Sequence, residues 1–338
     1  MTTSELYEHL LGATLDLAWR QWSAIGVAGI RASEHMIVDP EALLLATLEV
    51  ARSDARLFDE ALDWVVQNSE LLDVSRLRRL GRTASGDQRR LLGVAVGLTA
   101  SRSAGSSLAR LPAEDFIARE ATAGYDSQAL FRGARRDAGQ WAGTDEVFAR
   151  AGFTRPPLNL RAMSQRPDAS RSACARFRAR ALVGPGPKAE VLTYLWTHEW
   201  AHGRLIADRS AYGQAPVAEY LSTLSEGGLV DTRIDGRRTL YRATASLKAA
   251  GTPTPAYVDW VRVWPALVAL LDALRPSGFS EEAVWVRLAG ALAAQMNALE
   301  AEGFGVEVGD VEGWPRHGTQ LLENAVGIVT GRVEQIMG

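Results

Sequence analysis

The chain has one cysteine, Cys174, among 338 residues. This excludes an internal disulfide framework and any zinc finger built on several thiolates, and leaves His and carboxylate metal sites open. A reducing cytoplasm is the compartment such scarcity suits. Long apolar runs are also missing. No stretch approaches the roughly 18 to 20 residues needed to cross a bilayer. The opening residues, MTTSELYEHLL, are acidic where an export leader is basic, so neither membrane insertion nor secretion is expected. The first half has no phosphate-cradling glycine loop, no Gly-x-Ser-x-Gly elbow and no Asp-x-Asp pair. Its glycine-rich piece Gly93-Val94-Ala95-Val96-Gly97 reads as close helix packing, and no cofactor is expected. What is present is a 47% apolar chain of net charge -3, long enough to bury a core over two or three domains.

The periodicity is that of a mainly α protein. Residues 1–150 read as a helical domain. Leu6, Leu10, Ala13 and Leu17 recur at helical spacing, and Asp39-Pro40-Glu41 supplies an N-cap, an N1 proline and an early acid before the run Ala42 to Val50. Further helices are expected over Ala55 to Gln67, Val74 to Leu80 and Gln88 to Ala100. A C-terminal helical region, 255–338, repeats the pattern over Tyr257 to Leu274, over Glu281 to Glu300 with Ser280 as N-cap, and over Gln320 to Met337. Such helices suit either a homodimer interface or a cover over the N-terminal bundle. Trp260, Trp264 and Trp285 fit a core stripe or the lining of a small-molecule pocket.

Charge is unevenly distributed. Between Arg155 and Lys188 eight basic residues, Arg155, Arg161, Arg166, Arg171, Arg176, Arg178, Arg180 and Lys188, face the single acid Asp168. Pro156-Pro157 and Gly184-Pro185-Gly186-Pro187 bracket the stretch, so 151–187 reads as a basic connector with a short helix from Ser172 to Leu182. It is expected to be either a solvated linker or an arm that contacts phosphates, with Arg176, Arg178 and Arg180 as the contacting residues.

Residues 188–248 carry a recognisable order. Lys188 to Thr197 is a short amphipathic helix, Leu205-Ile206-Ala207 anchors a second, and Pro216 opens a third whose stripe is Val217, Tyr220, Leu221 and Leu224. Gly227-Gly228 ends it. A hairpin follows: Leu229 to Arg233, the turn Ile234-Asp235-Gly236-Arg237, then Arg238 to Arg242. Over about 187–245 this order resembles the winged helix-turn-helix domain of the MarR and ArsR type of bacterial regulators. The resemblance implies that the third helix enters the major groove of double-stranded DNA and the wing touches the backbone or minor groove. Tyr212, Gln214, Ala215, Ala218, Glu219 and Ser222 would then face bases. Arg204, Arg209, Arg233, Arg237, Arg238 and Arg242 would meet phosphates. Six arginines against the acids Asp208, Glu219, Glu226, Asp231 and Asp235 leave a net of +1 from Gly203 to Arg242, and the third helix has no Lys or Arg.

His198-Glu199-Trp200-Ala201-His202 has the spacing of a zincin motif, in which two histidines four apart on a helix hold zinc and the intervening glutamate serves as base. Glu219 and Glu226 are the available third ligands, and no further histidine occurs before His317. A winged helix, however, needs a turn at 197–203, which would separate the two rings. The expected function is a DNA-binding transcriptional regulator of a bacterial cytoplasm, non-catalytic, with no metal and a homodimeric state. Two alternatives accompany it: a winged-helix module that binds a protein partner, as in toxin-antitoxin or phage-defence complexes, and a zinc hydrolase.

Overall fold

The computed structural model describes residues 1–29, 32–102, 105–112, 127–132, 144–249, 255–276, 278–304 and 319–337. Among them the protein is mainly helical with small sheets. The helix starts follow from local capping. Thr2 and Glu5 close a capping box on α1 (Thr3–Ala24), and the Asp39 carboxylate accepts the Ala42 N–H at the start of α2 (Pro40–Val50). Asp54 and Asp73 do the same for α3 (Ala55–Asn68) and α4 (Val74–Gly81), and α5 (Gly86–Arg102) follows.

Two short stretches of chain interrupt the helical pattern. β1 (Gln128–Ala129) pairs in parallel with β2 (Phe153–Thr154), with α6 (Glu146–Arg150) just before β2. The connector then leads through α7 (Ala175–Val183) to a compact unit: α8 (Pro187–Thr197), β3 (Ala201–His202), α9 (Gly203–Ser210), α10 (Gln214–Glu226), β4 (Val230–Asp235) and β5 (Arg238–Ala243). The strands form one antiparallel sheet in the order β3-β5-β4. Gly236 turns the hairpin at φ +58°, a conformation glycine adopts without strain. After α11 (Ala245–Ala249), the long helices α12 (Trp260–Leu274), α13 (Glu281–Ala301) and α14 (Gln320–Met337) complete the chain.

Two apolar cores result. The larger draws on α1 to α5, the connector as far as Phe177, and α12 to α14, so the N-terminal and C-terminal helices bury one common interior. Trp22 meets Trp64 edge-on at 5.3 Å within it, and the Trp260 indole donates to the Ile37 carbonyl. The smaller core lies inside the compact unit and is built by Val191, Leu195, Ile206, Val217, Leu221 and Val230 among others. Among the described residues no helix is long and apolar enough to cross a membrane.

The connector is neither a solvated linker nor a free arm. It runs along the acidic face of α3, where Arg155 pairs with Asp59 at 2.5 Å and Arg161 with Glu60 at 3.1 Å. The Asp63 carboxylate accepts the backbone N–H groups of Ala162, Met163 and Ser164. Arg166 and Arg171 reach Glu70 and Glu34. The acidic residues of the bundle and the basic residues of the connector are therefore two halves of one seam.

Candidate functional site

The seam ends in a buried ion-pair cluster, and this corrects two of the expected phosphate contacts, Arg176 and Arg180. Arg176 and Arg180 are buried, together with Arg76, among the carboxylates Asp39, Glu41 and Glu190. Arg76 holds Asp39 at 2.5 Å and Glu41 at 2.9 Å, Arg176 holds Asp39 at 3.0 Å and Glu190 at 3.1 Å, and Arg180 holds Glu41 at 2.8 Å and Glu190 at 3.2 Å. Three cations thus meet three anions, which is how buried charge is tolerated. Burial alone would raise Asp39, but Arg176 and Arg76 outweigh it and hold the carboxyl well below its usual range. Glu41 is lowered in the same way, with Arg180 and Arg76 overcoming burial. Arg178 folds back on the Ala169 carbonyl at 2.8 Å. The sequence signal was Asp39 and Glu41, which are legible as helix-start acids but also face the connector.

Two more expected contacts point inward. Arg209 leaves the compact unit to pair with Asp259 at 3.1 Å and with Glu302. The Tyr212 hydroxyl donates to Asp73, and Arg79 lies over its ring at 5.1 Å. Both residues fasten α9 and the turn after it to the helical body. Arg76 reinforces this by donating Nε to the Ser210 carbonyl at 2.9 Å.

The histidines of the zincin-like pentapeptide do not share a helix. α8 stops at Thr197, His198 is extended at φ -121° and ψ 148°, and His202 is the N-cap of α9. The His198 ring stacks on Tyr194 with centroids 3.8 Å apart, and its Nδ1 is 3.0 Å from the Tyr194 carbonyl. Burial lowers its pKa. His202 Nδ1 accepts the Leu205 N–H at 3.0 Å, which leaves that nitrogen's lone pair engaged. Glu199 is exposed and pairs with Lys248 at 2.8 Å. The motif is spent on a turn, a cap and a stack, and the geometry of a helical zinc site is absent. His317 lies outside the described residues, and among those residues no group of three or more His, Cys, Asp or Glu could hold a metal.

One face of the compact unit remains open. Gln214, Ala215, Ala218, Glu219 and Ser222 on α10 are exposed, as are Arg204 on α9 and Arg233, Arg237 and Arg238 on the hairpin. An open groove of about 950 Å³ runs between α9, the start of α10 and β5, and Arg204, Gln214, Ala218 and Arg238 line it. Arg204, Arg237 and Arg238 have no carboxylate partner among the described residues. Arg242 is held by Asp231 at 2.8 Å. A feature not anticipated is Trp200, whose indole receives Arg233 at 4.5 Å and Arg242 at 4.7 Å. The signal for it was the pentapeptide itself, whose one tryptophan is the residue that meets the hairpin.

No protein-family model matches the chain, and no curated protein or solved structure is detectably similar to it.

Proposed function

We propose that residues 188–248 form a winged helix of the kind found in MarR and ArsR regulators, and that the protein binds double-stranded DNA as a transcriptional regulator. The observation that carries this reading is the groove face. A helix exposing Gln214, Ala215, Ala218, Glu219 and Ser222 lies beside a two-stranded hairpin; Arg204 and Arg238 line the groove between them, Arg237 is exposed at the hairpin turn, and none of the three has a carboxylate partner among the described residues. Gln214, Ala215, Ala218 and Ser222 would approach base edges, and the arginines would meet phosphates. Arg176, Arg180, Arg209 and Tyr212 take no part, because they hold the unit to the helical body, and Arg178 is turned back onto the Ala169 carbonyl. A homodimer belongs to the reading, since paired half-sites match a two-fold protein.

The test is fluorescence anisotropy with duplexes from the region upstream of the protein's own coding sequence, titrated across salt concentration. Binding should weaken steeply with salt. Replacing both Arg237 and Arg238 by alanine should lower the log-log slope by about 2, roughly one unit per lost phosphate contact. No shift at low salt would overturn the proposal.

A second reading has one observation of its own. Ile234 at the hairpin tip is 83% exposed, and Glu219 stands in the middle of the α10 face. An apolar tip beside an acid favours a protein partner over a phosphate backbone. Ile234→Ser would then release a co-purifying protein and leave duplex binding undetectable throughout.

A further inference from the structure

β4 is an edge strand. In the order β3-β5-β4 its inner side pairs with β5, and its outer side pairs with no strand among the described residues. The phase of the hairpin decides which backbone groups face outward. The Thr244 N–H donates to the Leu229 carbonyl at 3.1 Å, and alternate residues of an antiparallel pair exchange such bonds, so Leu229, Asp231, Arg233 and Asp235 turn inward to β5. Val230, Thr232 and Ile234 therefore turn their N–H and C=O groups to the open side. Thr232 to Asp235 are exposed, and Ile234 is 83% accessible. An edge left open in this way is a template for a strand of another chain.

The strand is chemically complementary to itself. Laid antiparallel on a copy of itself with the two-fold at Thr232, it sets Asp231 opposite Arg233, Val230 opposite Ile234 and Thr232 opposite Thr232. Acid meets base and apolar meets apolar. Outward-turned groups also meet outward-turned groups, as an antiparallel ladder requires, whereas a two-fold between two residues would set outward against inward groups. Neighbouring registers are penalised by charge. A two-fold at Asp231 or at Arg233 places that charge against itself, and the second also sets Asp231 against Asp235. A two-fold at Ile234 does set Arg233 against Asp235, but it keeps only Arg233 to Asp235 paired, where the Thr232 register keeps Val230 to Ile234. The two charges are accessible for such a contact. Arg233 lies over Trp200 and has no carboxylate partner among the described residues, and Asp231, which both Arg242 bonds reach through Oδ2, stays 46% exposed.

We infer that the outer edge of β4 is a docking surface for a second copy of this chain, met as an antiparallel strand about a two-fold at Thr232. The two hairpins and their β3 strands then form one continuous sheet, with the Arg237 turns outside the paired segment. The run from Val230 to Ile234 is about 17 Å long, a contact below standard size, so the association is reversible and set by concentration. The inference names the surface of the two-fold that the regulatory reading assumes, yet it stands on β4 alone and does not require that the protein bind DNA.

Sedimentation velocity of the full chain over a concentration series tests the surface, and should show reversible exchange between monomer and dimer. Arg233→Asp sets acid opposite acid and Asp231→Arg sets base opposite base, so each variant alone should dimerise at least about ten-fold more weakly. Mixed in equal amounts, the two variants restore opposite charges at both contacts. The mixture should dimerise as the wild type does. Thr232→Cys should cross-link to its own copy under mild oxidation, because residues facing each other across a ladder lie within disulfide reach. Ile234→Cys, which faces Val230 of the other copy, should not. Cys174 is buried and takes no part. Circular dichroism on each variant separates a lost contact from a lost fold. The inference is overturned by a wild type that stays monomeric, by dimers that folded Arg233→Asp leaves unchanged, by a mixture no more associated than its components, or by cross-linking that favours Ile234→Cys over Thr232→Cys. A dimer of this register that binds no duplex sinks only the regulatory proposal, and a monomer that binds duplex sinks only this inference.

Discussion

Arg180 and Glu41 face each other through two parallel bonds of 2.8 Å, and neither side chain is open to solvent. They come from opposite partners of the structure, one from the connector and one from the second helix. Their meeting, with the pairs of Arg155, Arg161, Arg166, Arg171 and Arg176, explains why most of the charge in a stretch that reads as a basic arm is neutralised within the fold.

Removing one member of such a buried pair strands the other. Arg180→Ala should lower the unfolding free energy by about 3–5 kcal/mol, measured by urea denaturation. Arg161→Ala, whose guanidinium is largely in water beside Glu60, should cost no more than about 1 kcal/mol. Equal effects at the two positions would contradict the assignment of a buried cluster.

Gly26 lies where the connector crosses the end of the first helix. Its φ is +115°, and an added Cβ would run into the Gln165 carbonyl oxygen, whose own residue donates its N–H to Gly26 O at 2.8 Å. Gly26→Ala should destabilise by more than the roughly 1–3 kcal/mol of backbone strain alone. Gly184, at φ +77° with open space around it, provides the comparison, since Gly184→Ala carries strain without collision. Thermal denaturation of both variants should rank Gly26→Ala as the worse.

His202 acts as a helix cap. His202→Ala should cost about 1 kcal/mol, and His202→Asn should retain most of the stability because its side-chain oxygen can accept the same N–H. Zinc content measured on purified protein should be the same for wild type, His198→Ala and His202→Ala. A stoichiometric loss in either variant would revive the hydrolase reading.

Asp259 gives a pH signature. Burial pushes its carboxyl up to about 6, with Arg209 pulling against the shift and Glu302 adding to it. Between about pH 4 and pH 6 the folded protein holds a proton that the unfolded chain has released, so this group's contribution to stability falls as pH rises through that window. Above it, the buried charge costs on the order of 3 kcal/mol. Asp259→Asn should therefore gain on the wild type from pH 4 to pH 7. His198, lowered by burial, tilts the profile in the opposite sense, so the difference between the two proteins is the quantity to plot.

What the sequence made legible was local. Asp39 before Pro40, Ser280 before Glu281 and Asp235-Gly236 in the hairpin declare their roles within a few residues, and each element begins or turns there. The break between His198 and His202 was legible from the order of the following forty residues. The fate of the connector arginines was not. Arg155 finds Asp59 across 96 positions and Arg180 finds Glu41 across 139, and a count of charge along the chain has no access to such separations. Arg209 and Tyr212 were misread for a related reason. Helical spacing places a residue on a face, but the neighbour of that face came from Asp259 and Asp73, far away in sequence.

The seam along the third helix has one more consequence, for proteolysis. A run of six arginines between prolines and glycines looks like the place where trypsin would sever the chain, but cleavage needs a backbone that can unfold locally into the protease. Here Ala162 to Ser164 give their amides to Asp63, and the arginines of 176 and 180 are enclosed. Among the described residues the exposed Arg237-Arg238 turn offers the easier cut. A brief digest should nick the hairpin before it cuts the arginine-rich stretch.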